Sequence, residues 1–388
     1  MTTFSTRPKL ARGFSLIDIL VGMVIGLIGM IVVFQSFQAF EGQKRTTTVT
    51  NDAQEAGLMA LSTIEREMRL AGYGLFYNGN SICMGYRQWS SSAVVTASNF
   101  LPASITDGSS NAPDALTLIY SSSAVAATPS QVQVNFNGKV AEVVVDNALS
   151  NTAYRIGDYI LVGRASQPCT RLQVSGIRTD PQNPRVLGLK VESGTPTPAN
   201  PPLASLAALL PTGGYNNERS TYPAVVANMG QMRRVIYEIA LDSNFKGQLQ
   251  SRDLTAGASA VALADGIVDL QAQYGISATS ATQNISSWVN ASGSWASPSA
   301  TDQWRVKALR VAVVARSQLR EKAQITGAAV TCSNTSGTNA NGPCAWRDST
   351  ANPAPTIDLS GNPDWQYYRY RVYETIIPLR NVMWQQFS

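Results

Sequence analysis

The chain has 388 residues, room for one large or two ordinary domains, and its hydrophobic content of 44% lies in the range of globular proteins. The formal net charge is +5 with only 14% charged residues, and no basic stripe with interleaved aromatic residues accompanies it, so the sequence does not predict nucleic-acid binding. Histidine is absent, which removes Ser-His-Asp and Cys-His catalysis and most zinc and non-haem iron sites, so we predict no catalytic residues, no metal and no cofactor.

The chain begins with a short basic stretch followed by a long apolar one. Residues 1–13 carry three basic side chains, Arg7, Lys9 and Arg12, and no acidic one. Residues 14–34 follow, a segment of about 21 residues that is long enough to span a bilayer as a helix. The positive stretch is expected to stay in the cytoplasm while the rest of the chain is exported. The sequence therefore predicts a transmembrane helix behind a basic leader.

Two ordinary interpretations of this segment are a secretory signal peptide and a plain signal anchor. The apolar run is long for a signal-peptide core, no A-x-A-like site follows it, and Gly13 lies before it. One acidic residue, Asp18, interrupts the run at a cost of roughly 2.5–3.5 kcal/mol on insertion scales, so we expect its charge to have a partner. Cleavage after Gly13 would create an α-amino group at Phe14, which can neutralise Asp18 of a neighbouring subunit.

The stretch from Arg12 to Asp18, Arg-Gly-Phe-Ser-Leu-Ile-Asp, resembles the class III signal of type IV prepilins. That signal has a basic leader, Gly, Phe, a small or apolar triplet, an acid at the fifth mature position and an apolar run. The family usually has Glu where this chain has Asp18, so the charge is kept with a shorter reach. The resemblance implies that residues 1–13 are a cleaved leader, and that a prepilin peptidase cuts between Gly13 and Phe14 and N-methylates Phe14.

The helical pattern continues beyond the apolar run as an amphipathic helix. Small and apolar residues recur there at three- and four-residue spacing, namely Val49, Ala53, Ala56, Ala60, Ile64, Met68 and Ala71. The helix is expected to end near Gly72, because Gly72 and Gly74 break it. Residues 14–72 are therefore predicted to form one long spine helix, and residues 73–388 a β-rich globular head.

After Gly74, short β-like runs alternate with breaks rich in Ser, Asn, Gly and Pro. The predicted strands are Ala115–Tyr120, Gln131–Phe136, Val140–Asp146, Asp158–Gly163, Arg171–Ser175, Val186–Val191, Arg234–Leu241, Lys307–Ala315 and Tyr368–Pro378. In the last of these, the alternation predicts one buried side and one solvated side. Gly194–Pro202 is predicted to be a Pro-rich loop, and Ala278–Ala300 and Thr331–Pro343 polar surface loops.

The four cysteines predict disulfides in an oxidising compartment, because their number is even and a membrane-targeting segment precedes them. Cys332 and Cys344 enclose a stretch rich in Ser, Thr, Asn and Gly, which is typical of a stapled loop. Cys83 then pairs with Cys169 by elimination. The alternatives are the other pairings, since four cysteines allow three, and four free, buried thiols.

Four further segments together resemble the PilW-type minor pilins of the type IV pilus. They are residues 64–73 (IEREMRLAGY), 265–275 (DGIVDLQAQYG), 308–317 (ALRVAVVARS) and 368–381 (YRYRVYETIIPLRN). The order and spacing of the motifs carry the resemblance, which covers the helix and the sheet core but not the middle of the chain, about 80–230. It implies an α+β, type IV pilin-like fold, with the spine helix packed on a largely antiparallel sheet with long loops.

The same resemblance implies a minor pilin that helps to start filament growth and sits at or near the filament tip. Its implied partners are the other minor pilins, the major pilin, the prepilin peptidase, the inner-membrane assembly platform and a tip adhesin. Its implied location is the bacterial inner membrane, with one pass and a periplasmic head, and then the extracellular pilus tip. Two alternatives stay open: a minor pseudopilin of type II secretion, which shares the leader and spine, and a membrane-anchored adhesin or binding module.

Overall fold

The computed structural model describes residues 16–383 apart from several short stretches. The stretches that it does not describe are 78–79, 91–92, 98–99, 109–111, 126–127, 147–150, 166, 195–198, 217–221, 256, 300, 328–329, 332–337, 340 and 347–356. The predicted leader, Gly13 and Phe14 therefore lie outside the described residues.

The chain divides into two compact units, Met1–Asp52 and Ala53–Ser388. Helix α1, Leu16–Met68, begins in the first unit and ends in the second. Two short helices follow in the second unit, α2 (Leu203–Leu209) and α3 (Arg380–Met383). The predicted end of the long helix is close to the observed one, because Gly72 has a φ of +81°, a conformation that ends helices and favours glycine.

The remainder of the second unit is built from strands. They are β1 (Phe76–Tyr77), β2 (Asn80–Ser81), β3 (Tyr86–Ser90), β4 (Ala93–Ala97), β5 (Ala103–Thr106), β6 (Ala115–Tyr120), β7 (Ser130–Val132), β8 (Glu142–Asp146), β9 (Tyr159–Gly163), β10 (Cys169–Gln173), β11 (Gly176–Thr179), β12 (Val186–Lys190), β13 (Val225–Gly230), β14 (Arg233–Leu241), β15 (Gly247–Asp253), β16 (Val261–Asp265), β17 (Ile267–Ser277), β18 (Ile285–Val289), β19 (Val306–Arg316), β20 (Val330–Thr331), β21 (Thr338–Asn339) and β22 (Tyr370–Pro378). The predicted α+β class is confirmed, with an N-terminal apolar helix and several antiparallel sheets.

A four-stranded antiparallel sheet, ordered β18-β17-β19-β22, packs against the amphipathic end of α1. Its two central strands, β17 and β19, are buried along their whole length, 11 residues each. On one face, Val311 and Val313 share a hydrophobic core with Ile64 and Met68 of α1. The other face is covered by a second apolar cluster that contains Trp346, Leu359 and Trp365. Burial on both faces explains the long apolar run in β19, whereas β17 alternates apolar residues with the buried polar residues Asp269, Gln271 and Gln273.

Two further large sheets lie in the head, besides the two-stranded sheets β1-β2 and β20-β21. A five-stranded antiparallel sheet, ordered β16-β15-β14-β6-β5, joins the core beneath α1. A nine-stranded sheet, ordered β11-β12-β8-β7-β13-β9-β10-β3-β4, occupies the middle of the chain and has a hydrophobic core of its own, to which α2 contributes Leu206 and Leu209. Its strands pair antiparallel except β10 and β3, which are parallel.

Three predictions about the head are wrong. The stretch Thr331–Pro343, predicted to be a loop, begins in β20 and contains β21, which pairs with β20. The stretch Ala278–Ala300 contains strand β18, which extends the sheet by pairing with β17, and it also contains a short 3-10 helix at Gly293–Trp295. Strand β22 does not have a single buried side. Val372 packs into the cluster around Trp346, while Tyr373 and Ile377 on the opposite face pack into the core beneath α1.

Candidate functional site

The first feature with a functional meaning is the apolar part of α1. Leu16–Gly42, 27 residues, is long and apolar enough to cross a membrane. Its large side chains are solvent-exposed in the isolated chain, for example Leu16 at 74% and Phe40 at 71%. A continuous apolar surface of this length is unfavourable in water, and a bilayer or neighbouring helices would cover it favourably.

Asp18 lies in the first turn of α1. A carboxylate in the first turn interacts favourably with the helix dipole. The residues predicted to act on it or with it, Gly13 and Phe14, are outside the described range. Cleavage after Gly13 and the pairing of Asp18 with the Phe14 amine therefore stay predictions.

The second feature is the packing contact between α1 and the four-stranded sheet. The predicted stripe is buried at Ala53, Ala60, Ile64, Met68 and Ala71, each at most 5% exposed. Residue 57 in the same stripe is a glycine, and the ring of Tyr373 lies against it. A Cβ atom built there would be 2.3 Å from two ring carbons of Tyr373, so no larger residue fits without a shift.

The chain segment after β22 closes the C-terminal end of α1. Asn381 Nδ2 donates to the carbonyl oxygens of Ala71 at 3.0 Å and Arg69 at 3.3 Å. Carbonyl groups at the end of a helix have no partner within the helix, and a side-chain donor satisfies them. The strand and the residues that follow it thus hold the helix at two points, Gly57 and the turn after Met68.

The described cysteines of the head are disulfide-bonded. Cys83 and Cys169 are bonded, with Cα atoms 5.1 Å apart, and their bond ties the segment after α1 to strand β10. Cys344 is also disulfide-bonded. Its predicted partner, Cys332, lies outside the described residues.

The third feature is a set of charged side chains buried in the four-stranded sheet. Arg310 lies between two indole rings, 4.9 Å from the centroid of Trp288 and 4.5 Å from that of Trp346. Its Nε donates to Gln273 Oε1 at 2.7 Å. Arg310 is therefore fully accommodated by cation–π contacts and a hydrogen bond, and its role is structural.

Asp114 is a second buried acidic residue. It hydrogen-bonds the edge of β17 at a position that does not pair with β18. Its carboxylate accepts hydrogen bonds from the backbone N–H of Gly108 at 2.9 Å and of Ala272 at 2.8 Å. Burial raises the pKa of Asp114 to about 7. The carboxyl group joins the loop before β6 to the four-stranded sheet.

Arg316 and Asp269 are also buried, but some of their polar atoms have no hydrogen-bond partner. Both are 3% exposed. Arg316 lies 4.3 Å from the ring centroid of Tyr368, yet its Nε and Nη1 have no hydrogen-bond partner. Asp269 accepts a hydrogen bond from Gln271 Nε2 at 3.1 Å through Oδ1, while its Oδ2 has none. Both side chains line a cleft of about 380 Å³ at the junction of the four- and five-stranded sheets.

The sequence predicted neither the buried charges nor the cleft. The sequence did contain a signal for the buried charges. Lys307, Arg310 and Arg316 interrupt a long apolar run typical of a strand buried on both faces. Among the residues that the structure describes, no group of three or more His, Cys, Asp or Glu side chains is placed to hold a metal ion.

The four-stranded sheet and most of the residues that line the cleft fall within one matched region. Residues 236–381 match the family model of PilW, the Type IV Pilus-assembly protein W. The chain carries a PilW-type segment. The predicted resemblance to PilW-type pilus proteins is thereby confirmed.

The PilW match implicates the chain in type IV pilus assembly, and the PilW pilus-assembly family is not enzymatic. The matched segment begins in β14 and ends at Asn381, so it includes the four-stranded sheet, Tyr373 and the helix-capping amide. It leaves out α1 and the nine-stranded sheet. No curated protein and no solved structure matches the chain.

Proposed function

We propose that the chain is a minor pilin that helps to initiate type IV pilus assembly and sits at or near the filament tip with other minor pilins. One observation carries the proposal: the PilW-type sheet packs on the amphipathic end of a helix whose other end is long and apolar enough to cross a membrane. A subunit of this kind presents an apolar helix to a bilayer or a helix bundle and carries a folded head at the end of that helix.

The proposed mechanism is non-enzymatic and starts with maturation. A prepilin peptidase removes the basic leader between Gly13 and Phe14 and methylates the new amine. The mature helix is held in the inner membrane and then passes into the filament, where other helices cover its exposed apolar side chains. The Phe14 amine of one subunit and Asp18 of its neighbour neutralise each other in this low-dielectric surrounding, which aids recruitment and register.

The alternative of a type II secretion pseudopilin shares the leader and the helix. The PilW match favours the pilus, because that family is described by pilus assembly. The inner-membrane assembly platform, the major pilin and other minor pilins are the proposed partners of the helix and the sheet. A tip adhesin is the proposed partner of the assembled complex.

The experiment that tests this function compares two charge-removing variants on the same helix. Asp18→Asn removes the carboxylate inside the apolar run, and Asp52→Asn removes an exposed one beyond it. Both are expressed in a host strain that lacks the native gene. We expect Asp18→Asn to lower surface piliation by about tenfold, corresponding to about 1.4 kcal/mol of assembly free energy, and Asp52→Asn to leave it near wild type. Equal piliation in both strains would contradict the proposed role of Asp18. Normal piliation in the strain without the gene would contradict the assembly function.

A further inference from the structure

The cleft beside Arg316 has the features of a binding site rather than of a packing defect. Buried polar groups are nearly always hydrogen-bonded in folded proteins, and an orphaned one is costly. Here two nitrogens of one buried guanidinium and one oxygen of a buried carboxyl group lack partners, and both side chains line the same cleft. Arg310, six residues earlier in β19, shows that the same sheet face can satisfy an arginine fully.

The sheet register places these two groups on one face. Asp269 pairs with Val314 across β17 and β19, and Arg316 lies two residues beyond Val314 on the same strand. Side chains two residues apart on a strand point to the same face, as do directly paired residues. Asp269 and Arg316 are therefore held by two buried central strands. Their unpartnered atoms are themselves buried, so these side chains must turn toward the cleft when a ligand binds.

The chemistry of the cleft selects the class of ligand. A guanidinium with unpartnered N–H groups matches a carboxylate, which it binds through charge-assisted hydrogen bonds. The nearby Oδ2 of Asp269 matches an N–H donor. Part of the wall is apolar, formed by Leu241, Phe245, Val268, Leu359 and Tyr370. A ligand that meets these three requirements has a carboxylate, an adjacent N–H and an apolar side chain.

The acidic residues of the cleft limit the ligand's charge. Asp358 lines the cleft with its pKa lowered by hydrogen bonds from Ser360, so it is negatively charged at neutral pH. Burial raises the pKa of Asp269 to about 7, and the adjacent Asp114 and Asp358 add to that effect. The single positive charge of Arg316 therefore suits a ligand with one negative charge better than a ligand with two or more, such as phosphate.

We propose that this cleft binds the α-carboxylate of an apolar amino-acid residue, as found at the C-terminus of a peptide, with Arg316 on the carboxylate and Asp269 on the adjacent N–H. The C-terminal residue of a partner protein is the ligand that fits, since it combines the carboxylate, the N–H and the side chain in one residue. A free amino acid has the same chemistry apart from its ammonium group. This site goes beyond the proposed role in pilus assembly and does not depend on it.

The test is a calorimetric titration of the purified full-length chain in detergent micelles with N-acetyl-leucine, N-acetyl-leucinamide and free leucine. The first mimics a peptide C-terminus, the second lacks only the carboxylate, and the third adds an ammonium group. We expect N-acetyl-leucine to bind with a dissociation constant on the order of 1 mM, as suits a ligand of this size, and the amide to bind at least tenfold more weakly. Preferential binding of free leucine over N-acetyl-leucine would support the same carboxylate site with a free amino acid as the ligand.

Three variants complete the test. Arg316→Gln is expected to weaken N-acetyl-leucine binding about tenfold, and Asp269→Asn by a smaller factor. Arg320→Gln is the matched control, because Arg320 is an exposed arginine on the loop after β19 that does not line the cleft, and it should bind like wild type. The acid-versus-amide comparison on the wild-type chain needs no variant, so a variant that fails to fold leaves the test intact.

Equal binding of the acid and the amide, no binding of the acid, or unchanged binding by a folded Arg316→Gln chain would each overturn the proposal. None of these outcomes bears on piliation, so the binding site and the assembly function fail or stand separately.

Discussion

The ring of Tyr373 lies against Gly57, so that a side chain at position 57 would collide with it. This contact joins α1 to the edge strand β22 of the PilW-type segment. It explains why a glycine is tolerated inside a helix, where it weakens the helix by up to ~1 kcal/mol relative to alanine. The close approach of strand and helix offsets that cost.

Gly57→Ala is therefore expected to destabilise the head although alanine is the better helix former. Overpacking of a filled site costs about 1–3 kcal/mol, which exceeds the ~1 kcal/mol gained in helix propensity. Chemical unfolding of the detergent-solubilised chain measures the difference. Gly42→Ala is the control, because the space around residue 42 is open. In a Tyr373→Leu background the Gly57→Ala substitution should cost less, and an equal cost in both backgrounds would show that the two residues do not interact.

Removal of the Cys83–Cys169 disulfide is expected to lower the stability of the head. The bond spans a sequence separation of 86 residues, and closing a loop of that size restricts the unfolded chain strongly. We expect Cys83→Ala/Cys169→Ala to lose about 2–5 kcal/mol in the free energy of unfolding. The pair Cys332→Ala/Cys344→Ala is the comparison, since a bond between those positions would close a much shorter loop and should contribute less. An unfolding midpoint that does not change in the first double variant would refute this expectation.

The stability of the head is expected to fall as the pH rises from about 4 to 7, and Asp114 contributes to this fall. Burial raises the pKa of Asp114 to about 7, assisted by the charge of Asp107 and opposed by hydrogen bonds from Gly108 and Ala272. An aspartate in an unfolded chain has a pKa of about 3.9, so between these values the folded state keeps a proton that the unfolded state has lost. Asp114 therefore contributes a decrease of up to about 1.4 kcal/mol per pH unit in that window.

Urea unfolding at several pH values tests this prediction. Asp114→Asn cannot titrate, so its stability should depend less steeply on pH than that of wild type, whatever its absolute stability. Asp52→Asn, at an exposed position, should keep the wild-type slope. A slope that is the same in all three chains would contradict a raised pKa at Asp114.

The spacing of apolar residues was enough to predict the elements whose apolar positions are the buried ones. The three- and four-residue spacing of Ala53, Ala60, Ile64 and Met68 identified the buried face of α1. Strand β6 has the predicted bounds, Ala115–Tyr120, because its apolar run is buried and is flanked by turn residues. Short-range patterns are informative where local preference and tertiary packing point in the same direction.

Other elements depend on contacts that a single sequence does not display. Strand β18, Ile285–Val289, lies in a polar stretch, and it forms because the exposed edge of β17 offers hydrogen bonds. Its Trp288 also covers Arg310. The cleft at Arg316 is lined by residues from β14, β17, β19, β22 and three loops, so no single stretch of sequence predicts it.

The measurement that tests the proposed function most directly is the N-terminal mass of the membrane-purified protein, from cells with and without the host's prepilin peptidase. We expect an N-methylated Phe14 as the first residue when the peptidase is present. The unprocessed leader should remain when the peptidase is absent, and also in a Gly13→Ala variant in normal cells. An intact Met1 in normal cells, or a cut downstream of the apolar run, would contradict maturation as a prepilin.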